Sequence, residues 1–193
     1  MAKNKVNFAV VVIGGSAGSL EVIIKIIAAL PADTKASFII VLHRKSYSDT
    51  TLFELLNSKT LLPVKEVEDK EPFIAGCIYI APSDYHLLLE NEKNFSLDST
   101  EKINHSRPSI DVTFESVAEI FGKKAMAVLL SGANADGAEG LQKIKACGGY
   151  SVVQDPATAE VDYMPQQAIK KGAIDAIVPA EDLGTFIIQQ ITM

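Results

Sequence analysis

The chain has 193 residues, with 18 basic and 24 acidic side chains and a net charge of −6. That acidic balance argues against nucleic acid as the main ligand, because domains that neutralise phosphates carry a basic excess or a long basic stripe. With 48% hydrophobic and 22% charged residues, the composition fits one globular domain over residues 1–193 with a sizeable core, and it excludes disordered and collagen-like architectures.

In chain order, Lys3 and Lys5 precede the apolar run Phe8 to Ile13 and so imitate a signal peptide. The run is shorter than the ~7–15 residues of an apolar signal core, and its valines read better as a buried strand over Asn7 to Ile13. No window approaches the ~18 apolar residues of a membrane span, so no membrane insertion is expected. After the glycine turn, Leu20, Ile23, Ile24, Ile27 and Leu30 recur at helical spacing, and Pro31 ends that helix. Ser37 to Leu42 is a second strand, followed by the polar segment His43 to Asp49, a short helix near Thr51 to Asn57 and a third strand around Pro63 to Val67.

The middle of the chain changes character. Cys77 to Ala81, Tyr85 to Leu89 and Phe95 to Leu97 are short apolar runs separated by Pro82-Ser83-Asp84 and Asn91-Glu92-Lys93-Asn94, which predicts a peripheral antiparallel region with a hairpin. From Ile110 a βα rhythm returns: a helix to about Phe121, strands at Ala125 to Leu130, Tyr150 to Val153 and Ala173 to Val178, and helices after Asp136, Met164 and Asp182. The pattern predicts a doubly wound α/β fold, a mainly parallel Rossmann-like three-layer sheet with a small antiparallel addition at one edge. Cys77 and Cys147 form no CxxC pair, so neither disulfide nor zinc is expected, no other cofactor is called for, and a reducing cytoplasm is the simplest setting.

Open parallel sheets bind ligands at the carboxyl ends of their strands, so the loops there are the places to look. The first carries Gly14-Gly15-Ser16-Ala17-Gly18, which fits the Gly-x-Ser-x-Gly pattern of an exposed nucleophile between strand and helix. Two simpler readings compete: Ser16 caps the following helix, or the glycine turn cradles a phosphate. The dinucleotide pattern Gly-x-Gly-x-x-Gly fails, since its second and third glycines would fall on Ser16 and Ser19, and the second strand ends in His43 rather than an acidic residue. His43 at that place is a candidate general base, while His86 and His105 are assigned no catalytic role. The loop Ser131 to Gly137 offers Asp136, which could orient His43; followed by Glu139, it also resembles a helix cap. The order Ser, His, Asp is not that of the α/β-hydrolase superfamily.

Taken together these segments resemble the catalytic domain of CheB-type chemotaxis protein-glutamate methylesterases. Gly14 to Gly18 is similar to their nucleophile loop, Leu42-His43 to their histidine position, and Leu130 to Gly137 to their aspartate loop. Tyr79 to His86, Arg107-Pro108-Ser109-Ile110-Asp111, Gln154-Asp155 and Met164-Pro165 extend the likeness, which runs from about Phe8 to about Val178.

The resemblance implies hydrolysis of γ-glutamyl methyl esters on the helical cytoplasmic part of chemoreceptors, releasing methanol, with deamidation of glutamine as a related activity. It implies catalysis by Ser16, His43 and Asp136 without a cofactor. An oxyanion site is expected at the N–H of Ala17 and in the Ala133 to Asn134 turn. Where family members often have Thr and Met, this chain has Ala17 and Ala133. Arg44-Lys45 replaces the common Met-Pro, and Ser106 stands where a histidine often precedes Arg-Pro-Ser. Arg44 and Lys45 form a candidate basic rim for an acidic substrate. CheB proteins commonly carry an N-terminal phosphoacceptor receiver. With the first strand at Asn7, no room for one is expected here, which implies constitutive activity or control by a separate response regulator. The competing function is a catalytically silent receptor-binding or signalling module.

Overall fold

The computed structural model describes residues 8–44 and 50–192. In chain order they form β1 (Val10–Gly15), α1 (Leu20–Ala29), β2 (Ser37–Leu42), α2 (Thr50–Asn57), β3 (Val64–Glu66), β4 (Ile78–Ile80), β5 (His86–Asn91), β6 (Asn94–Asp98), α3 (Ile110–Phe121), β7 (Ala125–Leu129), α4 (Ala138–Ala146), β8 (Tyr150–Gln154), α5 (Tyr163–Lys171), β9 (Ala176–Val178) and α6 (Leu183–Thr192).

All residues of β1, β2 and β7 are buried. Strands covered on both faces need apolar side chains at successive positions, which is why these read as continuous runs rather than alternations. They form the centre of a seven-stranded parallel sheet ordered β3-β4-β2-β1-β7-β8-β9. Val11 and Ile13 face a core shared with Ile23 and Ile27 of α1, Leu56 of α2 and Ile187 of α6. On the other face, Val10 and Val12 meet Phe114 of α3, Leu141 of α4 and Ala168 of α5. Each large side chain fully buried in this way contributes roughly 1.5–3 kcal/mol, and these two cores fix the strand ends that carry the site. The chain runs first from β1 to the β2 side and later returns to β7, so the winding reverses at β1, where such sheets open a crevice. Among the described residues no helix is long and apolar enough to cross a membrane.

Three local expectations are revised. The first strand continues through both glycines, since Gly14 pairs with Val41 and Leu129 and Gly15 with Leu42; Asn7 lies outside the described residues. Gly14 is needed for close approach: a Cβ there would lie 2.4 Å from Ile110 Cγ2 at the start of α3. The run Cys77 to Ala81 is not part of an antiparallel region, because β4 inserts between β2 and β3, parallel to both. Tyr79 is fully buried there, its hydroxyl accepting the Ile74 N–H and donating to the Pro72 carbonyl, so the aromatic ring is tolerated in the core. The antiparallel addition is the β5–β6 hairpin. It pairs with no strand of the main sheet and instead packs Leu87, Leu89 and Phe95 into the core beneath α3.

Candidate active site

Three adjacent central strands end at the same side of the sheet, and each delivers one of the residues picked out from the sequence. Gly15 is the register partner of Leu42, and the His43 N–H donates to the Gly15 carbonyl at 3.1 Å. From the other side, the Ser16 N–H donates to the Ser131 carbonyl at 2.9 Å. Ser16 is thereby held between the His43 and Ser131 loops by backbone bonds. It is half-buried and its hydroxyl makes no hydrogen bond to a described residue.

Ser16 is not the cap of α1. Ser19 occupies that position, and its hydroxyl turns back to the Ser16 carbonyl at 2.6 Å. Gly18 adopts a positive φ of 76°, and a Cβ there would meet Glu160 Cβ at 2.5 Å. Glycine serves both the turn and the close approach.

On the β7 side, Asp136 is fully buried. Its Oδ2 lies 2.7 Å from His43 Nε2 and accepts the Ile110 N–H at 2.7 Å. Its Oδ1 accepts the Ser109 hydroxyl at 2.9 Å and the Asp111 N–H at 3.0 Å. The carboxylate therefore sits on the N-terminus of α3, where free N–H groups and the helix dipole favour a negative charge. Burial alone would raise its pKa. The bonds from His43 and from the N–H groups of Asp111 and Ile110 outweigh that penalty and hold the carboxyl below its usual range.

The competing reading of Asp136 as the cap of α4 does not match the structure, as Gly137 is the N-cap and the Asp136 carboxylate faces α3. Asp111, in the first turn of α3, supplies that contact instead, its Oδ1 accepting the Gly140 N–H at 2.7 Å. The two helices exchange carboxylates: the one before α4 caps α3, and the one in α3 caps α4. Asp111 is 5% exposed. Burial pushes its pKa up to about 7, opposed by the Gly140 N–H and reinforced by the charge of Asp136.

The imidazole is held on both edges. A carboxylate only accepts, so His43 Nε2 carries the proton towards Asp136 and the lone pair lies on Nδ1. Ser106 Oγ is 3.3 Å from Nδ1, and Asn134 Nδ2 donates to the same oxygen at 3.2 Å. Asn134 Oδ1 in turn accepts the Asp136 N–H at 3.1 Å. Asn134 thus supports the histidine through its side chain. The N–H groups of Ala17 and Ala133 donate to no described residue.

The Arg44 side chain is not simply solvated. Its side chain is 11% exposed, its Nη2 lies 2.6 Å from Glu66 Oε1, and the same nitrogen donates to the Ala81 carbonyl at 3.2 Å; Lys45 lies outside the described residues. His86 is buried and structural, with Nε2 against the Glu101 carbonyl and Nδ1 accepting the Ser109 N–H. Sequence reasoning passed over Ser106, Ser109 and Asp111 as site residues, although Ser109 immediately before an apolar helical run is a cap signal that marks the start of α3.

These features place the chain among doubly wound α/β proteins with a polar site at the carboxyl ends of the central strands. The family model for CheB methylesterase matches residues 11–187. A Leptospira interrogans chain provisionally named protein-glutamate methylesterase/protein-glutamine glutaminase is 42% identical over 95% of this chain and 95% of its own length. A Thermotoga maritima protein named protein-glutamate methylesterase/protein-glutamine glutaminase is 36% identical over 99% of this chain and 56% of its own length. The crystal structure of the Thermotoga maritima CheB methylesterase catalytic domain superposes with a TM-score of 0.89 at 37% identity, covering 94% of this chain and 98% of that one. The chain belongs to the CheB methylesterase family.

Proposed function

We propose that the protein hydrolyses γ-glutamyl methyl esters on the helical cytoplasmic domains of chemoreceptors or similar proteins, and deamidates glutamine at such positions by the same chemistry. The observation that carries this reading is the 2.7 Å bond between His43 and the buried Asp136, at the end of the strand beside Ser16. On this reading Ser16 Oγ attacks the ester carbonyl and passes its proton to His43 Nδ1, the nitrogen that carries the lone pair. Asp136 keeps the ring in that tautomer and stabilises the imidazolium that forms. To accept the Ser16 proton, Nδ1 must release the Ser106 hydroxyl.

The Ala17 N–H, and the Ala133 N–H with it, are candidates for the oxyanion, because both are unengaged among the described residues. Collapse of the tetrahedral adduct breaks the bond to the methoxy group, which leaves as methanol with the proton from Nδ1. Water then attacks the acyl-serine, again through His43, to release the glutamate carboxylate. With glutamine as substrate the same steps release ammonia.

The test is to incubate the purified protein with a methyl-esterified receptor domain and assay methanol, alongside Ser16→Ala. Methanol from the unmodified protein only, together with fluorophosphonate labelling that maps to Ser16, is the expected result. An equal rate from Ser16→Ala removes Ser16 as the nucleophile. Receptor binding without methanol release from either protein would support the silent module instead.

A further inference from the structure

Beside His43 the surface opens into a cavity of about 410 Å³. His43 and Ser106 form its inner edge, and Lys102, His105 and Arg107 its wall; Arg44 and Asp84 complete the lining. The lining holds three permanent cations, Arg44, Lys102 and Arg107, and one carboxylate, Asp84, in a molecule of net charge −6. Of the three, Arg44 is engaged by Glu66. Arg107 Nη1 donates to the carbonyls of Ser99 and Thr100, both at 2.7 Å, neutral acceptors that leave its charge in place. The nearby Asp98 directs its two oxygens at Thr100, and these bonds, with a smaller contribution from the charge of Arg107, hold its carboxyl below the usual range. Lys102 is exposed and its ammonium group meets no hydrogen-bond or ion-pair partner among the described residues.

The loop presenting these groups is braced. Ile103 and Ser106 exchange backbone hydrogen bonds at 3.2 and 2.9 Å, Asn104 and His105 take left-handed φ values of 50° and 62°, and Asn104 Nδ2 donates to Asp111 Oδ2 at 3.1 Å. Through Ser106 the same loop touches His43. The backbone from Ile103 to Ser106 is therefore tied to the base, with Lys102 and Arg107 at its two ends.

The group that reacts at Ser16 on the proposed reading is a neutral ester or amide, which gives no reason for cations beside the base. An anion does. We propose that this cavity is a carboxylate subsite that receives an acidic side chain of the polypeptide substrate about one helical turn from the reacting glutamyl group, with Lys102 as its direct partner and Arg107 adding to the field. The inference rests on the esterase reading and narrows its substrate class to segments whose methylated glutamate has acidic neighbours.

Two helical peptides test it, each with one glutamate methyl ester, the residues one turn to either side being glutamates in the first and glutamines in the second. Binding to the Ser16→Ala protein tests the subsite without turnover, and methanol release by the unmodified protein tests the esterase reading, so the two fail separately. The acidic peptide is expected to bind about tenfold more tightly, with the preference shrinking as salt rises. Lys102→Ala should reduce that preference and Lys102→Glu abolish or invert it. In turnover the difference should appear in KM more than in kcat. Equal binding of both peptides overturns the subsite, as does a preference that survives Lys102→Glu. Discrimination by the product carboxylate peptide alone would overturn it too, by assigning the cations to product.

Discussion

Asp136 serves two roles that are usually separable. As the partner of His43, its replacement by Asn is expected to lower kcat by about 10³- to 10⁴-fold. As the acceptor of four donors, it cannot be exchanged for an amide without setting an NH₂ group against donors that now point at a carboxylate oxygen. A stability loss of about 1–3 kcal/mol should therefore accompany the rate loss, read as a lower urea midpoint. A variant that loses rate but keeps its midpoint would show that the α3 bonds contribute little. Ser106 poses a second question at this scale, because His43 touches its hydroxyl while the Ser16 hydroxyl bonds no described residue. If Ser16 is the nucleophile, Ser106→Ala removes one neutral hydrogen bond, worth about 1 kcal/mol, and activity should stay within about tenfold. Loss as deep as that of Ser16→Ala would move the nucleophile to Ser106. Ser16, His43 and Asp136 were legible in the sequence because each lies shortly after an apolar run of strand length. Ser106 and Asp111 were not, because their roles depend on which helix start faces which loop, and no local pattern encodes that.

Among the elements, the contact between β1 and α3 connects the sheet to the site. Gly14 lets Ile110 lie against the strand, and the Ile110 N–H is one of the donors on Asp136. Gly14→Ala would drive a methyl group into Ile110 Cγ2 and push the start of α3 off the carboxylate. A loss of about 1–3 kcal/mol is expected, with a fall in methanol release larger than the fraction unfolded explains. Unchanged activity in the folded variant would mean that α3 yields elsewhere. In sequence, Gly14-Gly15 reads as a turn that follows the strand. The role of Gly14 depends on a helix nearly 100 residues further on, and is visible only in three dimensions. β4 misled for a related reason: three residues between turn signals look peripheral, yet parallel pairing on both sides buries them.

At the scale of the whole molecule, the buried carboxyls set how stability responds to pH. Asp136, held below its usual pKa, contributes stability that is complete above the unfolded-state value near 4 and is lost as pH falls through its folded pKa. Asp111 has the opposite sign. Its pKa is raised to about 7, so the folded state binds more protons than the unfolded one between about pH 4 and 7, and stability declines as pH rises through that window. Asp111→Asn should flatten this decline relative to the unmodified protein in urea midpoints across that range. Parallel curves for the two proteins would mean that Asp111 is already ionised in the fold. The doubly wound architecture and the side of the sheet that carries the site were readable from the alternation of apolar runs and helical stripes, whereas the exchange of carboxylates between α3 and α4 was not. Within that exchange, the bond that orients His43 and the bonds that seat the start of α3 share one carboxylate, that of Asp136. In a cell, where marginally stable chains are removed by proteolysis, the proposed mechanism then predicts that substitutions of Asp136 lower the amount of protein as well as its turnover, and that inactive but abundant forms arise at Ser16 instead.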